Sequence, residues 1–81
     1  MFTKTKYVVL KEYNKMIVFS ELIEHKQFAG LNPISAGFIS FRANELGDVE
    51  AHCYGKSISL GISSRPDEDS EIANKQILGN I

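Results

Sequence analysis

Two runs of consecutive apolar residues near the start constrain this chain most. Tyr7-Val8-Val9-Leu10 and Met16-Ile17-Val18-Phe19 are rich in β-branched and aromatic side chains, and only a short polar break, Glu12 to Lys15, separates them. Such residues favour strands, and so short a break closes an antiparallel hairpin. Successive strand residues point to opposite faces, so an unbroken apolar run predicts strands covered, at least in part, on both sides.

The rest of the chain supplies candidate cover. Ser20 is placed to cap a helix running to about Ala29, with Phe28, His25, Ala29 and Leu22 on one arc and Gly30 as the stop. Ile34 to Phe41 reads as a third strand. Val49 to Tyr54 reads as a fourth, with Val49, Ala51 and Cys53 on one face and Glu50, His52 and Tyr54 on the other. Ser57 to Ile62 alternates cleanly and predicts a fifth strand that buries Ile58, Leu60 and Ile62. A last helix is expected from Ser64-Arg65-Pro66-Asp67 to Leu78, with Ser64 and Asp67 at capping-box spacing and Gly79 ending it.

The expected fold is therefore a single α+β domain over residues 1–81: about five mainly antiparallel strands and two helices, in the order ββαβββα. If both helices pack on one face, the opposite sheet face is left open. At 81 residues such a domain hides only roughly 60–65% of its unfolded surface, so the core is thin.

Charge and cysteine content narrow the function classes. Nine Lys or Arg stand against ten Asp or Glu, a net charge of −1, which gives no global field to draw in nucleic acid or a membrane. Locally, Lys4, Lys6, Lys11 and Lys15 make the first fifteen residues basic, and Asp67 to Glu71 is acidic. Cys53 is the single cysteine, so the chain has no internal disulfide, and a reducing compartment fits it. The opening Met1-Phe2-Thr3-Lys4-Thr5-Lys6 leads into an apolar stretch too short for a membrane span of about 20 residues. A cytoplasmic protein is expected.

The motifs that suggest chemistry are each weak. Gly55-Lys56-Ser57 matches the end of a phosphate-binding loop, but Glu50 stands where the first glycine belongs, and a strand pattern follows instead of a helix. Asp67-Glu68-Asp69 with Glu71 lacks the glycine and distal glutamate of a calcium loop and suits a helix first turn. Cys53 needs a base to act as a nucleophile; His52 points to the opposite face, and His25 reaches it only if the first helix covers that strand. Two histidines and one cysteine are too few for a zinc site within one chain. No catalytic residue, metal site or cofactor is assigned.

The set singled out for binding is His52, Tyr54, Ser57 and Ser59 on the predicted open face, with Arg65 at its rim to take a carboxylate or phosphate. An ordinary solvated sheet face is the plainer reading of the same residues.

Ile34-Ser35-Ala36-Gly37-Phe38, the stretch Cys53 to Gly61 and Ser64 to Asp69 together resemble a group of short hypothetical proteins of bacteria and their phages. The resemblance implies a stand-alone accessory protein, often phage- or prophage-borne. It assigns no functional residue.

The expected function is a non-enzymatic binding module, homodimeric through the open face or an edge strand, that engages a protein or small-molecule partner. Two alternatives come from other classes. One is weak nucleic-acid binding by Lys4, Lys6, Lys11 and Lys15, with Tyr7 or Tyr13 to stack, and it depends on whether those lysines converge. The other is a small hydrolase or transferase using Cys53 with His25.

Overall fold

The computed structural model describes residues 4–79; the opening Met1-Phe2-Thr3 lies outside them. Strands β1 (Thr5–Leu10) and β2 (Met16–Ser20) form the hairpin that the two apolar runs predict, joined through a short 3₁₀ turn at Glu12–Asn14. Strand β3 (Pro33–Ala43) pairs with β1, and β4 (Val49–Tyr54) pairs with β3, all antiparallel, which gives a four-stranded sheet in the order β2-β1-β3-β4. A second, two-stranded sheet is the small hairpin of β5 (Lys56–Ser57) and β6 (Ile62–Ser63). Helix α1 (Pro66–Gln76) closes the described chain. The α+β class and the mainly antiparallel arrangement stand as expected.

The unbroken apolar character of β1 is accounted for by cover on both faces. On one side Tyr7 and Val9 pack with Met16, Ile39, Ala51 and Cys53 beneath Ala73 and Ile72 of α1. On the other, Val8 and Leu10 pack with Phe19 and Ala36 beneath Phe28, Leu60 and Ile62. The expectation that both helices share one face is corrected here. The segment around Phe28 and the β5–β6 hairpin lie opposite α1, because β1 has apolar side chains to bury in both directions.

Two elements differ in form. The helix expected from Ser20 to Ala29 is a turn followed by a 3₁₀ helix at His25–Leu31. The Ser20 hydroxyl does accept the Leu22 amide at 3.1 Å, and the Ser20 carbonyl accepts from Ile23, but Glu24 then adopts an extended backbone. Of the predicted apolar arc only His25 and Phe28 turn inward while Leu22 is exposed. A pair three residues apart is what a 3₁₀ helix stacks on one side.

The predicted strand Ser57 to Ile62 is a tight hairpin. The Ser57 hydroxyl accepts the Leu60 amide, the Ser57 carbonyl accepts the Gly61 amide at 2.9 Å, and Gly61 takes φ +67°. That left-handed conformation costs glycine little, and it reverses a chain whose alternation reads as straight. Ile58 is consequently 86% exposed instead of buried.

Candidate functional site

The β5–β6 hairpin and the 3₁₀ helix stand side by side on the sheet face opposite α1, and between them lies an open cleft of about 630 Å³. Its floor is Phe38 of β3 together with His25, and Ile58 and Ser59 of the hairpin turn form one wall. Lys6, Lys26 and Lys56 reach it from β1, the 3₁₀ helix and β5, against a single carboxylate, Glu24. Lys4 adds its ammonium 5.3 Å from the centre of the Phe38 ring.

Each wall is fixed by local chemistry. Gly55, at φ +79°, lets the chain leave β4 across the Phe38 ring, where a side-chain carbon would meet the ring at 2.9 Å. Gly37 is equally constrained, since a Cβ there would lie 2.4 Å from the Tyr54 carbonyl oxygen. Tyr54 stacks on Phe38 with centroids 5.8 Å apart, so the aromatic floor extends toward β4.

His25 is buried, with its ring edge-on to Phe19 and Phe38. Its Nε2–H donates to the Gly37 carbonyl at 2.9 Å. Burial lowers the imidazole pKa, and the nearby Lys6 adds to the effect, so the ring is held neutral. Of the lysines, Lys6 Nζ donates to the Ile23 carbonyl at 3.0 Å, and Lys26 Nζ lies 3.0 Å from Glu24 Oε2. A lysine bonded once keeps two further donors. The cleft therefore combines a flat apolar floor with a cationic rim.

The residues singled out from sequence do not form one surface. His52 and Tyr54 do share the outer face of β4, where His52 Nε2 sits 3.8 Å from Glu50 Oε2. Ser57 is buried, its hydroxyl spent on Leu60 and Ser59, and Ser59 lines the cleft. Arg65 is on the other side of the molecule, where its guanidinium holds Asp69 and Glu68. The expected grouping fails because the strand predicted at Ser57 to Ile62 turns back after two residues.

The rival readings meet the same test. Lys4 and Lys6 approach the cleft, whereas Lys11 and Lys15 flank the far, turn end of the β1–β2 hairpin, so the four do not converge. Tyr7 is buried and unavailable for stacking. His25 and Cys53 lie on opposite faces of the sheet. Burial, with the Asp69 charge nearby, pushes the Cys53 thiol pKa up to about 11. Among the described residues no three His, Cys, Asp or Glu side chains are grouped to hold a metal, and no helix is long and apolar enough to cross a membrane.

Beneath α1 lies the most connected polar group among the described residues, an acid whose local sequence reads only as helix-start charge. Asp69 is 0% exposed. Its Oδ2 accepts from the Tyr7 hydroxyl at 2.5 Å and the Arg65 amide at 2.9 Å. Its Oδ1 accepts from Ser35 Oγ, Arg65 Nε and Arg65 Nη2 at 3.0–3.2 Å. With every oxygen engaged, this cluster fastens α1 to β1 and β3.

Lys26 and Phe38 are not singled out as site residues from sequence, and Lys56 enters only in the phosphate-loop match that fails. They come together only through tertiary structure, and no local spacing marks them. Comparison with protein-family models, with curated proteins and with solved structures finds no match for this chain.

Proposed function

We propose that this chain is a non-enzymatic binding module whose ligand is an anion with a flat apolar portion, seated in the cleft between the 3₁₀ helix and the β5–β6 hairpin. The observation that carries the reading is the convergence of Lys6, Lys26 and Lys56 on the Phe38 floor. Ligand pockets are typically apolar with a few placed polar groups, and a cationic rim selects the sign of charge. The neutral, carbonyl-bonded His25 serves as part of the floor rather than as a charged contact.

The size of the cleft suits a small molecule, and its openness equally admits one or two side chains of an acidic partner segment. A fluorescence titration separates the two requirements. 8-Anilinonaphthalene-1-sulfonate is both flat and anionic and is expected to bind; neutral 1-aminonaphthalene and inorganic sulfate each meet one requirement and are expected to bind at least about tenfold more weakly, since each forgoes roughly 1.4 kcal/mol or more. Lys6→Glu with Lys56→Glu removes the sulfonate's advantage. Equal binding of the charged and neutral probes, or an unchanged affinity in the double variant, refutes the reading.

A further inference from the structure

The four-stranded sheet has two outer strands, β2 and β4, and the chain treats them differently. An outer strand with free amides and carbonyls invites another strand to pair with it. Along β4, the outward amides of Ala51 and Cys53 donate to Asn74 Oδ1 and Ser70 Oγ of α1, both at 2.9 Å. The helix closes that edge with its own side chains.

On β2 the phase of pairing is set by the Leu10 amide, which donates to the Lys15 carbonyl at 2.8 Å. Antiparallel pairs alternate between bonded and non-bonded, so in the observed register Val8–Ile17 and Lys6–Phe19 are bonded pairs, and the backbones of Met16, Val18 and Ser20 face outward. Two of those groups are used: the Met16 amide donates to Gln76 Oε1, and the Ser20 carbonyl accepts from Ile23, both at 3.0 Å. The outward N–H and C=O of Val18 have no partner among the described residues. Between Met16 and Ser20 there is no charge and no proline to discourage pairing.

We infer that β2 is a self-association edge, pairing antiparallel with β2 of a second copy of this chain about a two-fold axis at Val18. The occupant follows from self-complementarity. Pairing about Val18 sets Met16 against the partner subunit's Ser20 and, one step further out, Lys15 against the partner subunit's Glu21, an opposite-charge contact that the symmetry makes twice. The same axis brings Tyr13, 88% exposed beyond one end of β2, toward the partner subunit's Leu22, a residue 89% exposed beyond the other. Among the described residues, the two most exposed large hydrophobic side chains thus flank this edge. The result is a continuous eight-stranded sheet, independent of the cleft.

Light scattering and sedimentation equilibrium of the wild-type chain between 5 and 500 µM are expected to show a mass rising toward twice the 9.1 kDa of the chain. Val18→Pro deletes the outward N–H while leaving the β1–β2 ladder its bonds, as proline at a strand edge does, and is expected to remain at 9.1 kDa with an unchanged circular dichroism spectrum. If that variant unfolds, the charge pair decides. Lys15→Glu alone weakens association about tenfold, and adding Glu21→Lys restores it. A wild-type chain that stays monomeric throughout, including one that pairs only with added foreign peptide strands, overturns the inference. So does a dimer indifferent both to Val18→Pro and to the charge exchange.

Discussion

Replacing Asp69 with alanine tests how much of the fold hangs on one buried carboxylate. Asp69→Ala strips the acceptor from two fully buried hydroxyls, Tyr7 Oη and Ser35 Oγ, and from the Arg65 amide. A buried polar group left without its partner costs about 1–3 kcal/mol, and breaking a buried charge pair from one side costs about 3–5 kcal/mol in all. The Arg65 side chain is one-third exposed and recovers water, so its share is discounted. A loss of about 4–6 kcal/mol is expected. A domain of this length has roughly 4–12 kcal/mol in total, so the variant is at the margin of folding. Tyr7→Phe removes a single donor and leaves Asp69 its other four bonds, for a loss of about 1–2 kcal/mol. Urea unfolding followed by far-ultraviolet circular dichroism measures both. A loss under about 1 kcal/mol for Asp69→Ala, or equal losses for the two variants, refutes the account of the cluster as the fastening of α1.

Three further outcomes follow from the same geometry. Because the folded His25 has a pKa below its unfolded value, the fold binds fewer protons there; stability is full above about pH 7 and falls as pH drops through about 6.5, by at most about 1.4 kcal/mol per pH unit, and His25→Gln, measured by urea midpoints, flattens that slope. With the Cys53 thiol raised to about 11 and buried, iodoacetamide labelling at pH 7.5 is expected to run at least about a hundredfold slower than on the urea-unfolded chain; equal rates contradict it. Gly37→Ala drives a methyl against the Tyr54 carbonyl and lowers stability by about 1–3 kcal/mol in the same urea assay, whereas Gly47→Ala, with open space around its Cα, meets only backbone strain.

The sheet was largely legible in the sequence, and the site was not. The apolar runs of β1 and β2, the strand formers of β3 and the alternation of β4 each write a local pattern that marks a strand, and the short break after β1 marks the hairpin; the pairing of β1 with β3 is not written locally. Ser57 to Ile62 wrote the same period-two pattern, but Gly61 and the Ser57 hydroxyl settle a turn there, an outcome that depends on φ and hydrogen bonding rather than on hydrophobic order. Asp69 looks like Asp67 and Glu68 in sequence; what distinguishes it is Tyr7, 62 residues away, and Ser35, 34 residues away. Lys6, Lys26 and Lys56 lie on three separate elements, so the cationic rim exists only once the 3₁₀ helix and the small hairpin have both folded over Phe38. The face expected to be left uncovered instead carries the 3₁₀ helix and the small hairpin, and the cleft is the gap between those two elements.

The most direct test of the cleft as a binding site is an amide chemical-shift map of the ¹⁵N-labelled chain titrated with 8-anilinonaphthalene-1-sulfonate. The account predicts that the perturbed amides gather at Lys6, His25, Phe38, Gly55 and Ser59, that those of Cys53, Asp69 and Ala73 under α1 stay still, and that Lys6→Glu with Lys56→Glu shifts the titration to at least about tenfold higher probe concentration. Perturbations centred on α1 or on the outer face of β4, or spread evenly over the chain, contradict it.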